Sequence, residues 1–427
     1  MNKFYTSVRL DKDACNGCIN CIKRCPTQAI RVRKGKAVIT SKYCIDCGEC
    51  IRICPYHAKY STYNNIEVMD QFEYTVALPE PSLYAQYNNL EDVNILLTAL
   101  KLMGFDDVYE VSAACEYISQ MTKKYVEENQ DKWPIISTAC PAMVRLVQAK
   151  FPNLIDHLLP IKEPAELAAE FARKRAMEKT GLPSEKIGII SISPCPAKVT
   201  SIRMPIGINK SNIDAVFAIK DIYGTLLKYM DKAKENVENL SISGKTGIRW
   251  ANVAGESFYL DTENYLAADG MENVMRILEE LEEKRFIELK FIELNACSVG
   301  CVGGVLNVEN PYIARVKLKK IRNGLPELKT FIDFSDTEKV NSAYWTEKLK
   351  YQPVFNLADN MIESMNKMEK AEKILDKFPG LDCGSCGAPT CRALAEDIVR
   401  GVANERYCFD VLRKLYKEVT HDDKSVD

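Results

Sequence analysis

Between residues 15 and 54 one cysteine spacing occurs twice. The first copy reads Cys15-x2-Cys18-x2-Cys21-x3-Cys25-Pro26, and the second reads Cys44-x2-Cys47-x2-Cys50-x3-Cys54-Pro55. Each cysteine of the second copy lies 29 residues after its counterpart. The chain has 17 cysteines, an odd number, and it reads as cytosolic. A disulfide framework therefore explains them poorly, and metal or redox use explains them better.

The doubled run resembles the bacterial two-cluster ferredoxins, in which the fourth cysteine of each run ligates the other cluster. That resemblance implies one 4Fe–4S cubane on Cys15, Cys18, Cys21 and Cys54 and a second on Cys44, Cys47, Cys50 and Cys25. The plainer alternative is a pair of zinc sites. Residues 1–57 carry eleven Lys/Arg against four Asp/Glu, and Arg31, Arg33, Lys34 and Lys36 surround an expected hairpin turn at Gly35. Either this is a basic docking face for an acidic redox partner or it is a solvated face beside two anionic clusters.

A second cysteine group closes the chain: Cys383-x2-Cys386-x4-Cys391-x16-Cys408. Glycines at 384 and 387 let backbone approach a cluster closely, and the helical stretch after Cys391 would return Cys408 to the loop. The group resembles the small four-cysteine domain of corrinoid iron–sulfur proteins and of a membrane electron-transport complex, which implies one more 4Fe–4S cluster. Zinc is again the plainer alternative.

The remaining composition narrows the class. A chain of 427 residues, 46% hydrophobic and 27% charged, has room for two or three domains and a substantial core. No apolar run of about 18 residues suggests a membrane span, and the opening MNKFYTSVRLDKDAC lacks the apolar core of a secretory signal; a cytoplasmic protein is expected. A net charge of −2 argues against a nucleic-acid partner. Three histidines, His57, His157 and His421, nearly exclude a His-rich metal site. After a connector over 58–72, short apolar runs alternate with helical stretches. Strands are expected at Tyr74–Leu78, Val108–Val111, Pro134–Thr138, Ile187–Ser193, Ile213–Ala218 and Phe286–Leu294. Helices are expected at Leu90–Met103, Pro164–Thr180, Asp221–Tyr229 and Glu272–Lys284. The pattern implies an α/β domain with a largely parallel sheet. Expected boundaries are 1–58 for the two-cluster domain, 73–335 for the α/β domain, 336–375 for a charged helical linker including Leu357–Leu375, and 376–427 for a small helical C-terminal iron–sulfur domain. The polar tail HDDKSVD is expected to be disordered.

Four of the five middle cysteines follow expected strands: Cys140, Cys195, and the pair Cys297 and Cys301. Carboxyl ends of parallel strands are where α/β sheets build ligand sites, and four convergent thiolates suit one iron–sulfur cluster. Their contexts are Ser137-Thr138-Ala139-Cys140-Pro141, then Ser193-Pro194-Cys195-Pro196-Ala197-Lys198, then Glu293-Leu294-Asn295-Ala296-Cys297-Ser298-Val299-Gly300-Cys301-Val302-Gly303-Gly304. In order and context these resemble the three active-site motifs of FeFe-hydrogenases, TSCCPxW, MPCxxKxxE and ExMxCxxGCxxGG, over roughly residues 75–320.

The resemblance implies that Cys140, Cys195, Cys297 and Cys301 hold the 4Fe–4S part of an H-cluster. Cys301 would also bridge to a two-iron subsite bearing CO, cyanide and azadithiolate. It further implies that Lys198 donates to one cyanide and that Pro81-Ser82 contacts the other; an ordinary surface lysine is the plainer reading of Lys198. An ammonium on a buried anionic ligand is a charge-assisted bond. Cys115 is left over: either a buried inert thiol or part of a proton relay.

The chain departs from the family at the first motif. Efficient members carry a second cysteine where this chain has Ala139, and that thiol passes protons to the bridgehead amine. Ser201 stands in place of the second motif's glutamate, Ser193 and Asn295 in place of two methionines, and Met143 in place of an aromatic. A positioned proton carrier contributes about 10²–10⁴-fold, so slow conversion of H2 to protons and electrons is expected. The pattern resembles the sensory, low-activity FeFe-hydrogenases without a PAS domain, which implies a redox partner such as ferredoxin or a signalling protein, and dedicated maturases. The alternatives are a catalytic hydrogenase with another proton path through Cys115 or Glu116, and an iron–sulfur assembly or electron-carrier protein.

Overall fold

The structure, a computed structural model, describes residues 4–285 and 288–420. The N-terminal part is built from two small antiparallel pairs. Strand β1 (Val8–Leu10) and strands β2 (Ile30–Arg33), β3 (Lys36–Ile39) and β4 (Lys59–Ser61) pair as β1 with β4 and β2 with β3. The β2–β3 hairpin turns through Lys34 and Gly35, both at positive φ, as a two-residue hairpin requires. Cys15 and Cys21 are themselves part of the small core here, with Ile22, Ile30, Ala37 and Ala58.

The middle of the chain is an α/β body with two parallel sheets. Strands β5 (Tyr74–Pro79), β6 (Asp107–Val108), β7 (Ile135–Ile136), β8 (Ile187–Ser193), β9 (Ala215–Ala218), β10 (Tyr265–Asp269) and β11 (Phe291–Asn295) assemble in the orders β6-β5-β8-β9 and β10-β11-β7. All pairings in these two sheets are parallel. Every residue of β8 is buried, Ser191 and Ser193 included, as befits a parallel strand covered on both faces. Helices Val93–Leu102, Pro164–Thr180 and Ile219–Glu235 supply apolar faces to these cores.

Two local rules position the site. Cys140 and Cys195 are the residues just before helices Pro141–Lys150 and Pro196–Ser201. Proline suits the first helical position, where its missing N–H would have no partner. Each motif is therefore a strand, a cysteine and a helix start in sequence.

Several expected elements shift. The run Val108–Val111 is strand only at Asp107–Val108, because Val111 opens the helix Val111–Glu128. There Glu110 is drawn into a buried network with Tyr84, Ser243 and the backbone of Ile242. The strand expected at Phe286–Leu294 forms at Phe291–Asn295, and residues 286–287 lie outside the described residues. The connector 58–72 contributes β4 and a 3-10 turn at Ile66–Gln71. In the charged stretch after 335 the helices are Thr337–Ser342 and Met361–Leu375. The C-terminal unit packs Ala371, Phe378, Ala388, Leu394 and Val411 together. The HDDKSVD tail lies outside the described residues. Among the described residues no helix is long and apolar enough to cross a membrane.

Candidate functional site

The crevice lies between the two parallel sheets, at the carboxyl ends of β7, β8 and β11. β8 and β11 end two residues before Cys195 and Cys297, β7 ends four residues before Cys140, and β11 leads on into the glycine-rich loop that carries Cys301. The thiols of Cys140 and Cys297 neighbour each other and both Cys195 and Cys301. Gly300 sits at φ +87, and a Cβ there would lie 2.5 Å from Val253 N, so the third motif's loop closes on its neighbour only with glycine. Burial pushes the Cys195 thiol well above its ordinary value and Cys297 up to about 11; burial raises Cys301 too, against the pull of Lys198. Cys195, Cys297 and Cys301 are therefore poor free thiolates. A bound iron–sulfur cluster supplies the positive charge that would deprotonate them, so the donor set fits that group. Among the described residues no three of these side chains gather around one ion; a cubane takes one thiolate per iron, so its four sulfurs stand apart around the cluster.

Beside Cys301 is a small cavity whose wall includes Pro81, Cys115, Ala139, Lys198 and Glu256. Of the sequence-predicted residues, Pro81, Cys115, Lys198 and Cys301 meet around this space, whereas Ser82, Cys140, Cys195 and Cys297 are not part of its wall. Lys198 is buried, its Nζ 2.5 Å from Glu80 Oε1 and 3.1 Å from Glu163 Oε1. Burial alone would lower its pKa, but the two carboxylates raise it well above the ordinary value. Ser82 is fully buried and its Oγ has no hydrogen-bond partner within the chain, an orphaned donor that fits an external acceptor. Cys115 is buried, and burial, with Glu80 nearby, holds it as a thiol. Glu116 is elsewhere: its carboxylate accepts from the backbone N–H groups of Gly244, Lys329 and Thr330. Ser201 Oγ sits 3.1 Å from Arg145 Nη2, which also donates to Met204 O, so this position ties a helix end to a loop.

Sequence reasoning missed the carboxylates of this cavity. Glu256, whose carboxylate accepts from Ser137 Oγ, and Glu293, which accepts from Ser257 N at 3.0 Å and Asn295 Nδ2 at 3.1 Å, both reach the wall. Glu293 opens the third motif, but Glu256 and Glu163 stand in no pattern. Burial first, and then the charge of Glu293, pushes Glu256 up to about 8, and burial raises Glu293 as well. A carboxyl held protonated in the fold favours folding fully below its unfolded pKa, and this contribution is lost as pH rises through the folded value. The folded chain should therefore lose stability between about pH 4.5 and 8, by up to about 1.4 kcal/mol per pH unit for one proton. Denaturant titrations at pH 5, 7 and 9 should give a shallower decline in E256Q; parallel declines would refute the assignment.

In the N-terminal part, Cys21 neighbours Cys15, Cys18 and Cys54, while Cys25 neighbours Cys44, Cys47 and Cys50. The second set faces the crevice: Arg52 Nη2 donates to Gly303 O at 2.8 Å. Cys383, Cys386, Cys391 and Cys408 line one hollow of the C-terminal unit. The basic hairpin is neither a free docking face nor merely solvated, because Arg31 and Arg33 grip Asp397 of that unit.

Comparison with known proteins gives three family matches. The model described as iron only hydrogenase large subunit, C-terminal domain, matches residues 73–240 and 225–305, together more than half of the chain. A 4Fe-4S dicluster domain matches 7–55 and a four-cysteine Fe-S cluster model matches 378–409. The NADP-reducing hydrogenase subunit HndD of Solidesulfovibrio fructosivorans is 25% identical over 45% of this chain and 39% of its own length. Iron hydrogenase 1 of Clostridium pasteurianum is 23% identical over 53% and 48%. The cytosolic Fe-S cluster assembly factor nar1 of Emericella nidulans is 30% identical over 22% and 16%. The chain thus spans at most about half the length of these relatives.

Proposed function

Because the chain belongs to the iron-only hydrogenase large-subunit family, we propose that it binds H2 at an H-cluster, converts it slowly and reversibly to protons and electrons, and serves as a sensor of H2 or redox state. One observation carries the reading. A single cavity joins Cys301 to Lys198 and Pro81, while its wall at residue 139 is an alanine. When bound, the H-cluster supplies the reversible cleavage of H2. Cys140, Cys195, Cys297 and Cys301 would hold it, Cys301 being the one of the four that reaches the cavity wall. The Lys198 ammonium and Ser82 Oγ would orient the cyanides. Ala139 carries no exchangeable proton, so protons must leave by other groups, and turnover suffers accordingly. The two N-terminal 4Fe–4S clusters and a C-terminal one would carry the electrons to a redox or signalling partner.

The nar1 relatives favour a second reading, in which the chain takes part in iron–sulfur assembly and holds no two-iron group. Infrared spectroscopy separates the two. After anaerobic reconstitution with iron and sulfide and loading with the synthetic two-iron cofactor, spectra are recorded under argon and then under H2. CO and cyanide bands that shift with H2 are expected, together with turnover far below that of efficient hydrogenases. Absent bands would leave the assembly reading, and fast turnover would sink the sensor.

A further inference from the structure

The C-terminal four-cysteine unit is seated on the N-terminal hairpin. Val32 N donates to Gly387 O at 2.8 Å. Gly387 sits at φ +76, and a Cβ on it would lie 2.1 Å from Val32 O, so a side chain there would hold the two backbones apart. Asp397, 5% exposed, accepts from Arg31 Nε at 2.6 Å, Arg31 Nη2 at 3.1 Å and Arg33 Nη2 at 2.8 Å. Arg33 Nη1 also donates to the carbonyl of Cys386 at 3.2 Å. Lys23 Nζ donates to Pro389 O at 3.0 Å. Two guanidiniums converging on one buried carboxylate form a fixed, oriented joint rather than a loose surface contact.

The joint falls on one particular cysteine group. Ile22 and Lys23 directly follow Cys21, and a Cβ on Gly384 would lie 3.5 Å from Ile22 Cδ1 and 3.4 Å from Lys23 Cδ. The loop carrying Cys383 and Cys386 therefore faces the Cys15, Cys18, Cys21 and Cys54 group. The other N-terminal group faces the opposite way, toward the cavity domain, where a Cβ on Gly48 would lie 2.8 Å from Val305 Cγ2. Cys50 and Cys21 are neighbours, so the two N-terminal groups adjoin. Of the C-terminal thiols, Cys383 is exposed, so this cysteine group is open to solvent.

We propose that the C-terminal unit is the outer electron terminal of one ordered relay, clamped to the N-terminal domain by Asp397 between Arg31 and Arg33. The proposal rests on the reading that each cysteine group holds an iron–sulfur cluster. Each H2 split releases two protons at the cavity and two electrons. The electrons move singly from the crevice cluster to the Cys25, Cys44, Cys47 and Cys50 cluster, then to the Cys15, Cys18, Cys21 and Cys54 cluster, then to the C-terminal one. Each step oxidises one cluster and reduces the next, and the last reduces an external one-electron carrier. The arginines of the hairpin act inside the chain, as the socket for its own terminal unit.

The test is electron paramagnetic resonance of the full-length chain, reconstituted with iron and sulfide and chemically reduced. In the wild type, the C-terminal cluster should broaden the signal of its N-terminal neighbour. C386S/C408S should lose one cluster's iron together with that broadening. D397A and R31A/R33A should keep the full iron content and lose the broadening alone. If both of these fail to fold by circular dichroism, the comparison of wild type with C386S/C408S decides the matter. A wild type with full iron content but no interaction overturns the relay. Broadening that persists in folded D397A and R31A/R33A overturns the clamp. A wild type lacking the iron of one cluster overturns the cluster reading and the relay together.

Discussion

E256Q should turn over H2 about 10²–10⁴-fold more slowly than the parent chain, the range a positioned proton carrier commands. Several side chains on the cavity wall carry exchangeable protons. Lys198 holds its proton too tightly, since Glu80 and Glu163 raise it well above the ordinary value. Cys115 is a thiol whose burial likewise opposes ionisation. Ser137 is a hydroxyl, able to pass a proton but not to store one near neutrality. Glu256, pushed up to about 8 and in contact with Ser137 Oγ, can both hold and release a proton at working pH. Glutamine keeps the shape and removes the acid. The infrared bands of the bound cofactor should stay unchanged while the pH–rate profile loses the limb set by this carboxyl. A139C in the E256Q background should recover part of the rate, because it returns a proton donor to the same wall. Undiminished turnover in E256Q would show that protons leave by another way.

What was legible in the sequence was whatever is local. The cysteine groups could be read because a cluster loop fixes its spacing within a few residues. Pro164–Thr180 and Ile187–Ser193 stand at the expected bounds, one a long helix opened by proline, the other a strand buried along its whole length. The strand Tyr265–Asp269 escaped notice because it is half-buried throughout and reads Tyr-Leu-Ala-Ala-Asp, with no β-branched residue. Glu256 and Glu163 escaped for a different reason. A lone carboxylate has no spacing to betray it, and only the topology that sets the two sheets against each other brings it to the cavity. The partner of Arg31 and Arg33 lies more than 360 residues away, so a charge run that looked outward proved to be an internal socket.

Lys198 brings stability and cofactor retention into one experiment. Its ammonium is the buried counter-charge for Glu80 and Glu163, both nearly enclosed. Removing one partner of a buried ionic group strands the other, at about 3–5 kcal/mol. K198M should therefore be destabilised by about that much near neutral pH. The loss should be smaller in acid, where the stranded carboxyls can take up protons; denaturant midpoints across pH read this directly. The same variant should fail to retain the CO and cyanide bands while keeping the iron of the crevice cluster, since no cysteine has changed. Stability and retention have separate causes, and E80Q/K198M divides them. Neutralising Glu80, one of the two stranded carboxylates, should restore part of the stability. If the lysine serves only as a structural counter-ion, the bands should return with it. If its ammonium also holds the two-iron group, the double variant should be a stable protein that still cannot keep the cofactor, and that is the result the cavity geometry leads us to expect.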